Sequence, residues 1–193
     1  MKKCTLFSAI LLFAGSHASA QFMHSLGGGF NVLTHKVDVT TSYFPLIVER
    51  KSESLYHGSV DYFPRYNLTQ NSKSSLSIGL PVSLGLGSAD NGYSSGLYFA
   101  GDVSLGAYFN SGLKSSEENE SKFGYFLGAG FSYGHVGIYL DEGTVNVNTY
   151  GPMVNAGLRF PFKTRAITVS FFLRRGIETD KFTSYGLKLL EDF

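Results

Sequence analysis

Between residue 24 and the end of the chain, segment after segment carries apolar side chains at every second position. The clearest run is 75–87. Leu76, Ile78, Leu80, Val82, Leu84 and Leu86 share one parity, and serine, glycine and proline occupy the other. Alternation of this kind sends successive side chains to opposite faces of an extended strand. The run is longer than an average strand of about 5–6 residues. Seven further segments follow the same rule: 24–33, 56–68, 97–109, 123–133, 150–160, 166–174 and 182–193. The pattern predicts eight strands. The connections between them are long (34–55), short (69–74), middling (88–96), long (110–122), long (134–149), short (161–165) and middling (175–181). Turn chemistry such as Asp141-Glu-Gly-Thr144 separates the apolar runs.

Strands of this length suit a tilted crossing of bilayer hydrocarbon, which takes about 9–11 residues. Eight is an even number, the rule for single-chain bacterial barrels. The chain closes on Tyr185-Gly-Leu-Lys-Leu-Leu-Glu-Asp-Phe193, with Tyr185, Leu187, Leu189 and Phe193 on one parity and Lys188 and Asp192 on the other. Such a strand, ending in an aromatic residue, is what a transmembrane barrel presents to its insertion machinery. Glu191 departs from the pattern by falling on the apolar parity. A barrel with both termini periplasmic has its short turns second, fourth and sixth. Connections 69–74 and 161–165 comply. Connection 110–122, carrying Glu117, Glu118 and Glu120, does not, and the alternation supplies no reason for its length. Pro64, Pro81 and Pro152 also fall inside predicted strands, where each removes a ladder bond. Each is expected at a bulge or near a strand end, and Pro81 is the hardest to place.

The first 20 residues read as a cleavable secretory leader. Lys2 and Lys3 are followed by an apolar stretch and then Ala18-Ser-Ala20, which places the barrel in 21–193. The only cysteine is Cys4, within the leader, so the remainder has no disulfide or thiolate chemistry. Two of the 16 basic residues, Lys2 and Lys3, leave with it. The remaining 14 face 15 acidic residues, a formal charge near −1. No basic excess recommends nucleic acid as a partner. Glycine is abundant at 23 residues, and it suits pleated strands in close approach rather than helices.

Candidate chemistry lies on the polar parity. Asp61, Arg65, Asp102, Arg159, Arg174 and Lys188 all fall there, with Asp192 as a further acid. Such a set either selects solutes in a charged lumen or plugs it with ion pairs. Eight strands enclose room only for their own side chains, so the plug is the expectation. His57-Gly-Ser59 puts a base and a hydroxyl on one strand face, with Asp61 as the third group an esterase would need. No metal-ligand spacing is present, and no cofactor is expected. Gly27-Gly-Gly29 has no following helix to make a phosphate cradle, and is expected to relieve crowding where strands curve. In the first connection, Tyr43-Phe-Pro-Leu-Ile-Val48 is adhesive, or packs over the barrel mouth, or extends the strands beyond the membrane, and either of the last two is the expectation.

Three segments carry a resemblance to a known family: Tyr62-Phe-Pro-Arg-Tyr-Asn67, Ser77-Ile-Gly-Leu-Pro-Val-Ser-Leu84 and Phe123-Gly-Tyr-Phe-Leu-Gly-Ala-Gly-Phe-Ser-Tyr133. With the leader and the terminal phenylalanine, the chain resembles the small outer-membrane β-barrel (porin-like) proteins common in Bacteroidetes. The resemblance implies a fold and an address, and no catalytic residues. The expectation is an all-β, single eight-stranded antiparallel up-and-down transmembrane barrel in the bacterial outer membrane. Its partners would be outer-membrane lipid and, through Phe193, the insertion machinery. Its role would be structural or surface-interacting, at most a narrow pore. The alternatives are a lipid-modifying enzyme and a secreted soluble barrel that binds an apolar ligand, its apolar faces turned inward.

Overall fold

The computed structural model describes residues 21–41, 47–90, 95–116, 119, 121–140, 143–177 and 182–193. The expected leader, residues 43–46 of the first connection and the three glutamates of connection 110–122 lie outside the described residues. The strands are β1 (Phe22–Thr41), β2 (Ile47–Gln70), β3 (Ser74–Gly79), β4 (Val82–Asp90), β5 (Ser95–Gly112), β6 (Gly124–Leu140), β7 (Gly143–Phe162), β8 (Arg165–Arg175) and β9 (Thr183–Asp192). Every pairing is antiparallel between chain neighbours, and β9 returns to pair with β1, so the sheet closes. β3 and β4 together fill one place in the ring. The nine strands thus make an eight-stranded up-and-down barrel.

Pro81 explains the split. Arg65↔Gly79 and Tyr62↔Val82 lie on one unbroken register across the gap. The Leu80 amide still donates to the Pro64 carbonyl at 2.9 Å, and the Ser104 amide to the Pro81 carbonyl at 2.9 Å. Each proline keeps its acceptor and lacks its donor, so the ladder thins without slipping. Pro64 and Pro152 sit inside β2 and β7 rather than at strand ends or bulges. Pro152 shares the parity of Tyr150, whose carbonyl accepts from Ile177 at 3.0 Å. The donor missing at Pro152 therefore points toward the end of β8, where the neighbouring ladder stops.

Several strands run further than the alternation predicts. β1 and β2 pair from Phe22↔Tyr66 out to Thr41↔Ile47, and β6 and β7 pair out to Leu140↔Gly143. The expected connections 34–55 and 134–149 are therefore largely strand. Alternation marks only those stretches of strand whose two faces meet different solvents, and it fades where the sheet rises past the apolar band. These extensions lie on the side away from both termini.

The two faces separate as the parity rule requires. Leu76, Ile78, Leu80, Leu84 and Leu86 are exposed on the outside, while Ser75, Ser77 and Ser83 are buried in the interior. Phenylalanine, tyrosine, leucine and valine cover the outer surface in a continuous band. The interior also departs from a purely small and polar filling. Phe63, Tyr108 and Phe126 point inward, packed with Met153 and Leu190. Tyr98 and Leu33 point inward with Ala100, Val136 and Phe182. Glycines on the strands around these rings make room for them. A Cβ on Gly79 would lie 2.5 Å from the Phe63 ring, one on Gly128 2.2 Å from Tyr108, and one on Gly157 2.3 Å from Phe126. Gly27 fills the expected role of relieving crowding, since a Cβ there would lie 2.0 Å from the Leu189 carbonyl oxygen.

Candidate functional site in the barrel interior

The inward residues of β2 order the interior. From the termini side outward they are Asn67, Arg65, Phe63, Asp61, Ser59 and His57. They mark successive layers completed by the other strands.

The first layer is charged. Asp192 on β9 receives Arg159 Nε at 3.2 Å and Arg65 Nη1 at 3.6 Å. The Thr168 hydroxyl donates to Asp192 Oδ2 at 2.6 Å, and the Ser25 hydroxyl donates to Oδ1. All three charged side chains are at most 1 % exposed. Two arginines on one carboxylate leave a positive excess, which a buried site must compensate with hydrogen bonds. Here the acceptors come from connection 113–123. The Lys114 carbonyl accepts from Arg65 Nη2 at 3.0 Å and from Arg159 Nη1 at 3.3 Å. The Ser115 carbonyl accepts from Asn67 Nδ2 at 3.0 Å and from the Ser75 hydroxyl at 2.5 Å. Asn119 Nδ2 donates to the Ser72 carbonyl at 2.8 Å. Leu113, Ser115, Ser116 and Asn119 are buried. Residues 113–116 and Asn119 of the connection therefore lie in the mouth of the barrel on the termini side and stopper it. The turn into it is made at Gly112, whose φ of 73° is in the left-handed region that glycine adopts without strain.

The aromatic layer of Phe63, Tyr108 and Phe126 follows, with ring centroids 4.8–6.0 Å apart. It also faces the charged layer, because the Arg159 guanidinium lies 5.0 Å from the Phe126 ring centroid. Above it is a second charged layer. Lys188 Nζ meets Asp61 Oδ1 at 2.5 Å. Ser59 donates to Asp61 Oδ2 at 2.7 Å, and Asn31 donates to Ser59 at 2.8 Å. Arg174 Nη1 donates to the Ser132 hydroxyl at 3.1 Å. Asp102 shares a small cavity with Arg174 and Lys188 and takes part in none of these ion pairs. That cavity, about 10 Å³, has room for about one water. Furthest from the termini, His57 Nδ1 bonds the Tyr98 hydroxyl at 3.0 Å beneath the Leu33–Phe182 cluster.

The six sequence-selected residues thus divide into two groups. Arg65 and Arg159 join Asp192; Asp102, Arg174 and Lys188 line the upper cavity, and Asp61 joins them through its pair with Lys188. The connection that closes the mouth, and the ring layer between the groups, lay outside the parity argument. The rings did leave a signal: Phe63, Tyr108 and Phe126 fall on the inward parity, the last two beside Gly106, Gly124 and Gly128. The His57–Ser59 pair is not joined, since Ser59 bonds Asp61 and Asn31 while His57 bonds Tyr98. Among the described residues no group of three His, Cys, Asp or Glu side chains is placed to hold a metal ion. On the outer face Glu191 meets Arg165 at 2.9 Å, which accounts for a carboxylate on the apolar parity.

No family model and no curated protein matches the sequence. Solved structures do. The Neisserial surface protein A superposes with a TM-score of 0.52 at 10 % identity, over 91 % of this chain and 98 % of that one. The chain has the fold of the small outer-membrane β-barrels. The attachment invasion locus protein of Yersinia pestis, solved in complex with the heparin analogue sucrose octasulfate, aligns at 13 % identity and a TM-score of 0.48, over 90 % of this chain and 99 % of that one. OprG of Pseudomonas aeruginosa aligns at 10 % and 0.47, over 89 % and 95 %. The outward apolar band is the surface that such a barrel turns to the lipid of a bacterial outer membrane.

Proposed function

We propose that this protein is a closed, non-enzymatic outer-membrane barrel whose role is structural or surface-interacting and which carries no steady solute flux. The observation that carries the reading is the filled interior. Two ion-paired layers, an aromatic layer and an inserted connection lie in series along the axis. A solute would have to break buried charge pairs and displace rings, and the cavity beside Asp102, Arg174 and Lys188 holds about one water. The six lumenal residues are assigned the role of plug. Removal of residues 1–20 as a leader, and use of β9 with Phe193 as the segment offered to insertion machinery, belong to the same proposal. So does kinship with the Bacteroidetes porin-like barrels, which rests on the three sequence segments together with the leader and the terminal phenylalanine. Conductance in planar bilayers tests the reading. The unmodified protein is expected to show no steady channels, and large steady currents would overturn it.

A further inference from the structure

We propose that the outer face between β6 and β9 binds an anionic diacyl phospholipid of the leaflet on the termini side. An acyl chain lies in an apolar groove, and the phosphate is held at Lys163 and Arg165. The proposal rests on the reading that the outer face meets lipid.

The groove has a cause in the register. Leu127, Ala156, Phe171 and Leu187 are consecutive partners across four strands and all face outward. A single alanine among bulky neighbours leaves a trough. The trough has a volume of about 400 Å³ and is lined by Tyr125, Leu127, Ala156, Leu158, Phe171 and Leu187 among others. Its length toward the membrane surface follows from strand geometry. Leu158, Phe160 and Phe162 continue outward along β7 to the Lys163-Thr164 turn, and Val169 and Ile167 lead along β8 to Arg165. Leu158 to Lys163 is five residues, about 17 Å along a strand rising about 3.3–3.4 Å per residue. With the usual tilt of about 35–45° this is a depth of about 13 Å, close to half of a hydrocarbon core about 30 Å thick. The groove therefore lies at acyl-chain depth when the turn lies at headgroup depth.

The turn is basic. Lys163 is exposed, with Nζ 5.6 Å from the Phe162 ring centroid. Arg165 is half exposed. Glu191 takes its Nη1 at 2.9 Å, and the guanidinium stacks 4.4 Å from the Phe193 ring centroid. Arg165 is thus charge-balanced but held in place as a planar donor, and Lys163, which pairs with no carboxylate among the described residues, supplies the net charge. A fixed guanidinium beside an ammonium suits a phosphate diester. A second copy of this chain would fill the trough but would leave these cations without partners.

Because the sequence has no tryptophan, single reporters are unambiguous. Phe171→Trp places one in the groove. Leu84→Trp places another on β4, across the barrel, where Leu84 is exposed. Each protein is folded into vesicles of phosphatidylglycerol and phosphatidylcholine, with one lipid at a time carrying brominated chains. Quenching at position 84 should follow the mole fraction of each lipid. At position 171, phosphatidylglycerol should be enriched about 5-fold, the effect of about one cation near the surface, and the Lys163→Gln/Arg165→Gln background should abolish the enrichment. Equal behaviour at the two positions, or enrichment unaffected by the double substitution, would overturn the site. Protection of position 171 from both lipids would overturn it in favour of a second copy. Loss of quenching at both positions would instead overturn the lipid-facing reading on which the site rests.

Discussion

Asp192 is the residue on which most of the buried charge turns. It is the only carboxylate within ion-pair distance of Arg65 and Arg159 among the described residues, and two hydroxyls also donate to it. Removing one partner of a buried pair leaves the other charge uncompensated, at a cost of about 3–5 kcal/mol. Asp192→Asn is therefore expected to lower the unfolding free energy of the vesicle-reconstituted barrel by that amount. Its neighbour supplies the comparison. Glu191 pairs with Arg165 at 40–49 % exposure, where an ion pair contributes about 1 kcal/mol or less. Glu191→Gln should shift the urea midpoint little. Similar shifts for the two substitutions would rule out the buried cluster as a source of stability. Asp61 and Asp102 make a second contrast. Asp61 bonds Lys188 and Ser59, while Asp102 only borders the cavity. Asp61→Asn should destabilise more than Asp102→Asn, and the reverse order would show that the closest contact is not the dominant one. Parity alone could place all six charges inside. It could not tell which acid serves which base, because pairing depends on the relative heights of strands that are distant in sequence.

At the scale of elements, connection 113–123 decides whether the termini-side mouth is open. Its length was visible in the sequence, but its purpose was not. Its contribution comes from backbone carbonyls, which every residue carries, so no side-chain pattern announces it. The bonds from Arg65, Arg159, Asn67 and Ser75 to the carbonyls of Lys114 and Ser115 make the connection part of the interior. Replacing residues 113–122 with a short turn should strand these donors, at about 1–3 kcal/mol for each one that water does not reach. It should also admit water to the first layer. A cysteine placed at Asn67, buried at 1 % exposure, reports this directly. It should resist a charged thiol reagent in the intact protein and react once the connection is shortened. Equal reactivity in the two backgrounds would show that the mouth is closed by something else. The β3–β4 interruption was more legible. Proline chemistry put Pro81 at a bulge or strand end, against the alternation that ran one strand across 75–87, and the preserved register across it depended on the ladders to β2 and β5.

For the whole molecule the question is which face meets lipid, and the contrast between faces that revealed the strands also answers it. The alternation could not choose between a barrel with apolar side chains outside and a soluble one turned inside out, because the period is the same. Closure decides it. Arg65, Arg159 and Asp61 are at most 2 % exposed, whereas Leu86, Leu97 and Val60 are more than 60 % exposed. Leaving so much apolar surface in water would forgo about 25 cal/mol for every Å², while buried charges on the inside are paired and hydrogen-bonded. Leu80, outward and near the middle of its strand pair, tests the choice. An arginine at the bilayer midplane costs roughly 2–4 kcal/mol on the lipid face, so Leu80→Arg should lower the unfolding free energy of the vesicle-bound barrel by that much. The same substitution in a detergent whose polar surface can adapt around the barrel should cost less. Nitroxide labels on Leu76, Ile78 and Leu80 should collide freely with oxygen and little with a water-soluble nickel chelate, while a label on Ser77 should be shielded from both by the packed interior. If Ser77 proved to be the oxygen-accessible position and the leucines were shielded, lipid could not be the outer solvent, and the soluble barrel would take its place.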